Sequence, residues 1–398
     1  MPHREPLNFD VNATYGVERD LLLAACEKSS SVLNPSSVHA GGQKGRALLE
    51  TSRELILTLI DAPPGARGIF TSGATESNNS AIGSPFLTYI NTSRPAQIII
   101  SAIEHPSVEE PAERLCRQGV FLTRVFPRAG GKFAPSDFAE AVLPHCKLVS
   151  VMLANNETGQ ILPVKEICEA IRSRSGDALL HCDAVQALGK IPLSMKELGA
   201  DMLSISAHKV GGLPGCGMLV LKDEHRFSPF MLGGSQESRQ RAGTESVLGA
   251  VIFAESLARR IEELPENHAG RMTALLQEIL LRDVPSLKVN FENLECLPNT
   301  LNLQLPGVRA DDLVAALDIR GILVSSGSAC ASGKPLGSKV LERMGLSKSE
   351  ARQSIRVSLG AQYDEESVKE GAEIIVSVMN EMLQHSSTFE PLEEAVGV

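Results

Sequence analysis

Six short runs of apolar and β-branched residues recur between positions 96 and 222: "AQIIIS", "VFLTRVF", "KLVSVML", "ALLHCDA", "DMLSISA" and "GMLVLK". Turn residues or longer segments with apolar spacing near 3.6 flank each run. The helical pattern covers 43–60, 76–91, 107–118, 164–175 and 245–263. Strands that alternate with helices predict an α/β layer around a mostly parallel central sheet, with helices on its flanks. In such a sheet a ligand sits at the carboxyl ends of the strands. After residue 263 the pattern changes to long helices (268–282, 310–319, 364–383) with a few strands such as "NTLNLQL". A chain of 398 residues is too long for one simple core. The second pattern therefore predicts a smaller α+β domain, followed by a flexible tail over 384–398.

Charge and cysteine usage narrow the function. Lys and Arg number 38 against 48 Asp and Glu, a net charge of −10. That balance argues against nucleic acid as a direct partner, because phosphate binding needs a basic surface. The longest apolar runs are too short to cross a membrane, and "MPHREPLNFD" shows no secretory h-region. The eight cysteines form no C-x-x-C pair, so neither a metal site nor a thioredoxin-type motif is expected. Their scatter suits a reducing compartment and predicts a cytoplasmic protein.

Three strand ends carry chemistry. "FTSGATESNN" (70–79) joins a strand end, a small-residue turn and a helix start. Gly73 allows the tight turn, and Ala74 and Thr75 offer N–H groups and a hydroxyl to an anion. Ordinary capping explains the same residues equally well, and no Walker lysine is present. "ALLHCDAVQ" ends a buried strand on Asp183, where a carboxylate needs a cationic or protonated partner. "SISAHKVGG" ends another on Ser206, His208 and Lys209. A lysine there is either an exposed loop residue or an imine-forming amine with a lowered pKa. The combination says more than its parts. Pyridoxal 5'-phosphate needs a helix N-terminus for its phosphate, an acid for its pyridine nitrogen and a lysine for its aldehyde. His105, in "EHPSV", follows another strand and is placed to lie on the ring face.

Late in the chain, "SSGSACASG" (325–333) sets Cys330 among Ser, Gly and Ala only. Most cysteines are structural and sit among larger apolar neighbours; this setting favours a thiol on a mobile loop.

The chain resembles the pyridoxal-phosphate-dependent cysteine desulfurases of the NifS/IscS type, in the class V aminotransferase family. The motifs that carry the resemblance run in order from about residue 7 to about 383: "FDVNAT", "NPSSVH", "TSGATESNN", "EHPSV", "ANNETG", "HCDAVQ", "SAHKVGG", "RAGTE", "SSGSACASG" and "IRVSLG". The resemblance implies the fold type I architecture of PLP-dependent transferases. A large domain would span 14–260, and a small domain 1–13 with 261–383, carrying a cysteine loop at about 325–340. Lys209 would hold the cofactor as a Schiff base, Asp183 would pair with the pyridine nitrogen, and Gln186 would contact the ring hydroxyl oxygen. His105 would stack on the ring and move protons. Ala74, Thr75, Ser206 and His208 would bind the phosphate, with Thr244 reaching the phosphate of a neighbouring subunit in a homodimer. Asn156 and Arg356 would hold the substrate carboxylate, with Asn34 near it, and Asn156 would touch the cofactor as well.

The reaction so implied converts L-cysteine to L-alanine, with Cys330 taking the sulfur as a persulfide. A sulfur-acceptor protein, such as an iron–sulfur cluster scaffold or a tRNA-thiolation carrier, would receive it. Two positions depart from the family pattern. Val11 stands where an amide usually follows the aspartate of the first motif. "KPLGSKVL" (334–341) replaces a less basic stretch after the cysteine. A selenocysteine lyase, another enzyme of the same fold, or a non-catalytic scaffold are the alternatives to the desulfurase reading.

Overall fold

The computed structural model describes residues 5–386 except 91, 93, 224–226, 230 and 328–336. The strands in chain order are β1 (Leu7–Asn8), β2 (Arg67–Thr71), β3 (Gln97–Ser101), β4 (Phe121–Val125), β5 (Cys146–Met152), β6 (Leu179–Asp183), β7 (Met202–Ser206), β8 (Gly217–Leu221), β9 (Lys288–Val289), β10 (Thr300–Gln304), β11 (Ile322–Leu323) and β12 (Ser354–Ser358). The helices used below are α1 (Arg19–Ser29), α2 (Ala40–Leu59), α3 (Ala74–Gly83) and α4 (Pro106–Arg117). Further along the chain come α5 (Pro135–Glu140), α6 (Val164–Arg174), α7 (Met195–Leu198), α8 (Val247–Glu263) and α9 (His268–Asp283). The last are α10 (Ala310–Ile319), α11 (Lys339–Arg343), α12 (Lys348–Ala351) and α13 (Glu365–Ser386).

A seven-stranded sheet with the order β2-β8-β7-β6-β5-β3-β4 forms the centre. β4, β3, β5, β6 and β7 run parallel, and β8 is antiparallel to both of its neighbours, β7 and β2. The six apolar runs are β3 to β8. In a strand, neighbouring side chains point to opposite faces, and here both faces are apolar. Ile99, Val149, Val151, Leu180, Cys182, Leu203, Ile205, Met218 and Val220 enter one core. Ile98, Ile100, Leu148, Leu179, Met202, Leu219 and Leu221 enter the core on the other face. This is why the runs read as continuous rather than alternating: helices cover both sides. α3 and α4 supply Ala81, Ile82, Val108, Ala112 and Leu115 to one face, and α2, α6 and α8 supply Leu49, Ile56, Ile167, Ile171 and Phe253 to the other.

A separate core forms from later residues. α9, α10 and α13 pack on the antiparallel sheet β12-β10-β9, and Phe9 inserts among them. β1 pairs in parallel with β11, so the N-terminal segment lies with this second core. Among the described residues, no helix is long and apolar enough to cross a membrane.

Two helices differ from the sequence reading. The segment expected over 76–91 stops as an α-helix at Gly83, and Ser84–Phe86 continues as a 3-10 turn. Pro85 supplies no N–H and its ring cannot sit in a helix interior. Conversely, α1 was not anticipated: it buries only Ala25, so it carries too little apolar surface to show a stripe.

Candidate active site

The four parallel strands β3, β5, β6 and β7 end along one edge of the sheet, and their following turns build a single cleft of about 440 Å³. Its walls include Ala74, Thr75, His105, Asn156, Asp183, Gln186, Ser206, His208, Lys209 and Arg356. These residues are spread over more than 280 positions of sequence, and strand order alone brings them together.

The anion end is a cradle of backbone. Gly73 precedes α3 with φ +146°, in the region that favours glycine, and no side chain caps this helix. A Cβ on Gly217, in the adjacent strand β8, would lie 2.7 Å from the Cα and carbonyl carbon of Gly73. Glycine at both positions lets the turn lie flat on the sheet and leaves the first N–H groups of α3 open to an anion. Two ion pairs brace the cradle. Arg241 forks onto Glu76 (2.8 and 3.1 Å), whose Oε2 also accepts from the Ser72 N–H at 2.7 Å. Arg53 forks onto the buried Glu237 (2.6 and 3.0 Å), which accepts from the Phe70 N–H as well. Glu237, Ser238 and Arg239 are three consecutive non-glycine residues with positive φ, at 45°, 53° and 70°. Thr244 follows this segment; it is exposed and does not line the cleft of its own chain.

Asp183 ends β6, nearly buried, and its Oδ1 accepts from the Val185 N–H at 3.0 Å. Its Oδ2 accepts from Asn78 Nδ2 at 2.7 Å, and the same amide donates to Ser107 Oγ at 2.8 Å. Ser107 Oγ lies 2.7 Å from His105 Nδ1, which also accepts the Ser107 N–H at 3.1 Å. A ring nitrogen that accepts a backbone N–H carries no proton, so the neutral imidazole holds its proton on Nε2. Burial lowers the His105 pKa; the charge of Asp183 opposes that shift and that of Lys209 adds to it. Asn78 therefore ties the acid to the imidazole. In the sequence it was indistinguishable from a helix-start capping residue.

Below His105, Glu104 is buried completely. Its Oε1 accepts from the Met152 N–H at 2.9 Å and from Ser101 Oγ, stitching β3 to β5. Burial, the largest cause, pushes its carboxyl up to about 8. Nothing in its sequence context distinguished it from a solvated acid.

Lys209 Nζ donates to the main-chain carbonyls of Asn12 (2.7 Å) and Ala13 (2.9 Å). His208 lies beside it, with Nδ1 3.1 Å from Thr14 Oγ1. Burial first, then the charges of Lys209 and Lys190, pull the His208 pKa down to about 4, so the ring is neutral at ordinary pH. Gln186 donates to the Asn12 carbonyl at 3.1 Å.

At the substrate end Arg356 is 2 % exposed. Its Nη2 donates to Asp10 at 2.5 Å and its Nη1 to the Asn156 carbonyl at 2.7 Å, while the buried Nε has no partner among the described residues. Asp10 was not foreseen as its neighbour, because the two are 346 positions apart. Asn34 does not line the cleft. It is exposed, and its Oδ1 accepts from the Ser36 N–H in its own turn. Val11 is fully buried, with its N–H on the Ser358 carbonyl, and also lies off the cleft wall.

Cys330 lies outside the described residues, as do positions 334–336 of "KPLGSKVL". Ahead of that segment the chain packs against the cleft residue Arg356, and both flanks meet Glu157. Ser325 exchanges main-chain hydrogen bonds with Arg356 (3.2 and 2.7 Å), and its hydroxyl donates to Asp10 at 2.7 Å. A Cβ on Gly327 would meet Glu157 Oε2 at 3.3 Å, and Ser338 Oγ donates to the same oxygen. The described cysteines are all free thiols; Cys146, Cys168, Cys182 and Cys216 are buried, and burial raises their pKa.

The donor set fits pyridoxal 5'-phosphate. An uncapped helix N-terminus with Thr75 and Ser206 suits a phosphate, the Asp183 carboxylate suits a protonated ring nitrogen, and Lys209 brings the amine.

Residues 7–370 match the family model "Aminotransferase class-V". A cysteine desulfurase of Enterobacter agglomerans is 38% identical over 332 residues, covering 82% of this chain and 80% of that protein. Among solved structures, a NifS-like protein superposes with a TM-score of 0.86 at 30% identity, covering 94% of this chain and 99% of its own. A protein named SspA, solved in complex with cysteine, reaches 0.76 at 29% identity, over 89% of this chain and 98% of its own.

Proposed function

Because the chain belongs to the class-V aminotransferase family and, within it, to the NifS/IscS-type cysteine desulfurases, which depend on pyridoxal 5'-phosphate, we propose the following residue roles. Lys209 carries the cofactor, and Asp183, held by Asn78, faces its ring nitrogen. Gln186 faces the ring oxygen, His105 lies on the ring, and Ala74, Thr75, Ser206 and His208 hold the phosphate. When bound, the cofactor supplies an aldehyde and an electron sink for the substrate's α-carbon. Arg356 and Asn156 receive the substrate carboxylate. Asp10 fixes the guanidinium in place, and the unpartnered Nε is the donor that a carboxylate would satisfy. The Lys209 amine would move the α-proton. The neutral His105 acts through Nε2, because Nδ1 is occupied by the Ser107 N–H.

Cys330 takes the sulfur. Its thiolate bonds to the substrate sulfur as the substrate's carbon–sulfur bond breaks, the bonding pair stays on carbon, and protonation there gives L-alanine. The persulfide then passes to an acceptor protein, such as an iron–sulfur cluster scaffold or a tRNA-thiolation carrier. The chain acts in the cytoplasm as a homodimer, with Thr244 of each subunit reaching the phosphate of its partner. A large domain over 14–260 carries the cofactor, and a small domain over 1–13 and 261–383 carries the cysteine segment.

The observation that carries this reading is the convergence of Lys209, Asp183, His105 and an open helix N-terminus on one cleft. The test incubates holoenzyme with L-cysteine and follows alanine and the mass of the Cys330 peptide. Alanine should appear with one added sulfur on Cys330. Cys330→Ser should keep the cofactor absorbance and lose both products. Unchanged alanine formation in Cys330→Ser would overturn the reading.

A further inference from the structure

Lys190 is a half-buried lysine to which the reaction above gives no work. It sits one helical step after Gln186, on the turn that follows β6. Its Nζ donates to Gln186 Oε1 at 2.6 Å and to Asn12 Oδ1 at 2.6 Å. Both acceptors are neutral, and among the described residues no ion pair joins Lys190 to a carboxylate. Burial, then the positive charges of Lys209 and Arg356, push its pKa well below the ordinary lysine value. Two of its N–H donors are spent on these two bonds.

The two acceptors matter because of where they lead. Gln186 has an oxygen end and a nitrogen end of nearly equal shape, and only the nitrogen end can donate to a ring oxygen. With Oε1 occupied by Lys190, Nε2 must turn the other way, toward the cleft and the Asn12 carbonyl. Asn12 is fully buried and acts as a hub. Its carbonyl accepts from Lys209 at 2.7 Å, its Nδ2 donates to Thr300 at 2.8 Å, and its N–H donates to Ser358 at 3.0 Å. One amine thus fixes both the amide facing the ring oxygen and the residue on which the cofactor-bearing lysine rests.

We propose that Lys190 is a positioning residue for the cofactor: it sets the orientation of the Gln186 amide and anchors Asn12 beneath Lys209. It touches neither cofactor nor substrate. A residue present only to fill space would be replaced by methionine, of similar length, without changing how the cofactor is held.

The inference rests on the cofactor roles proposed above and is tested on binding rather than turnover. The dissociation constant of pyridoxal 5'-phosphate and the visible absorbance maximum of the holoprotein are measured in four proteins: the wild type, Lys190→Met, Gln186→Ala and the double variant. Lys190→Met should weaken binding about tenfold, the loss of one or two hydrogen bonds, and shift the absorbance maximum. In the Gln186→Ala background the same change should cost clearly less, about threefold, because only the route through Asn12 remains. An equal loss in both backgrounds, or no loss in either, overturns the proposal. If Lys190→Met does not fold, Lys190→Gln enters the same cycle, with the same outcomes deciding. A holoprotein that binds cofactor normally but makes no alanine from L-cysteine would sink the desulfurase roles and leave this inference standing.

Discussion

Removing Glu237 should cost the protein more than any surface carboxylate could. Arg53 spends all five guanidinium N–H groups: two on Glu237, two on Glu50 and one on the Gly68 carbonyl. The guanidinium lies 4.8 Å from the centre of the Phe70 ring, and the side chains of Arg53 and Glu237 are 8 % and 0 % exposed. In Glu237→Ala two charged donors and the Phe70 N–H lose their partner where water cannot replace it. Breaking a buried pair from one side costs about 3–5 kcal/mol. The same carboxylate holds three successive left-handed residues, each about 1–2 kcal/mol above its right-handed alternative. With an unfolding entropy of about 2.1 cal/mol/K per residue over 398 residues, a 4 kcal/mol loss lowers Tm by about 5 °C. The assay is thermal unfolding of the apo-protein by circular dichroism, beside the double variant Arg53→Met/Glu237→Leu. That variant removes both charges and should recover much of the loss. A fall in Tm of less than about 1 °C for Glu237→Ala, or a double variant no better than the sum of its singles, would refute the reasoning.

Three further outcomes follow from the cleft. Asn78→Ala frees Asp183 from one of its two described hydrogen bonds and should weaken cofactor binding about fivefold to tenfold; equilibrium dialysis decides it, and unchanged binding would show that Asp183 needs no such support. Gly217→Ala drives a Cβ to 2.7 Å from the Gly73 backbone. The phosphate cradle must shift, at about 1–3 kcal/mol, and a competing inorganic phosphate should lose at least about fivefold in affinity. Glu104 holds its proton in the native state up to about pH 8, while the unfolded chain releases it near about pH 4.3. The native state thus binds more protons across that window, and stability falls as pH rises through it. Glu104→Gln lacks this slope, so its Tm should gain on the wild type between about pH 5 and about pH 8.5; parallel Tm curves would count against a buried neutral Glu104.

The sheet was legible because strands covered on both faces are mostly apolar, and β3 and β5 to β8 are buried at every position but Lys147. The cleft was legible where chemistry sits at a strand's end: Asp183, Ser206 and Lys209 could be placed from their runs alone. The supports were not. Asp10 with Arg356 and Arg53 with Glu237 are 346 and 184 positions apart, and no local pattern links them. Asn78 looked like a cap, because its burial comes from strand order rather than from its neighbours. Asn34 went the other way: its motif suggested the site, while its side chain closes its own turn.

The short arm between Gly327 and Cys330 has a consequence for kinetics. Gly327 lies against Glu157, and Ser325 against Arg356 at the cleft. Three residues of fully extended chain span at most about 11 Å. A thiol held inside a sphere of that radius has an effective concentration on the order of a few tenths molar. The seven residues from Cys330 to Gly337 can span more than twice as far, so the three-residue stretch sets the upper bound on the distance of the Cys330 thiol from Gly327. Two residues added between Gly327 and Cys330 would enlarge the reachable volume about fourfold to fivefold and dilute the thiol at the substrate by the same factor.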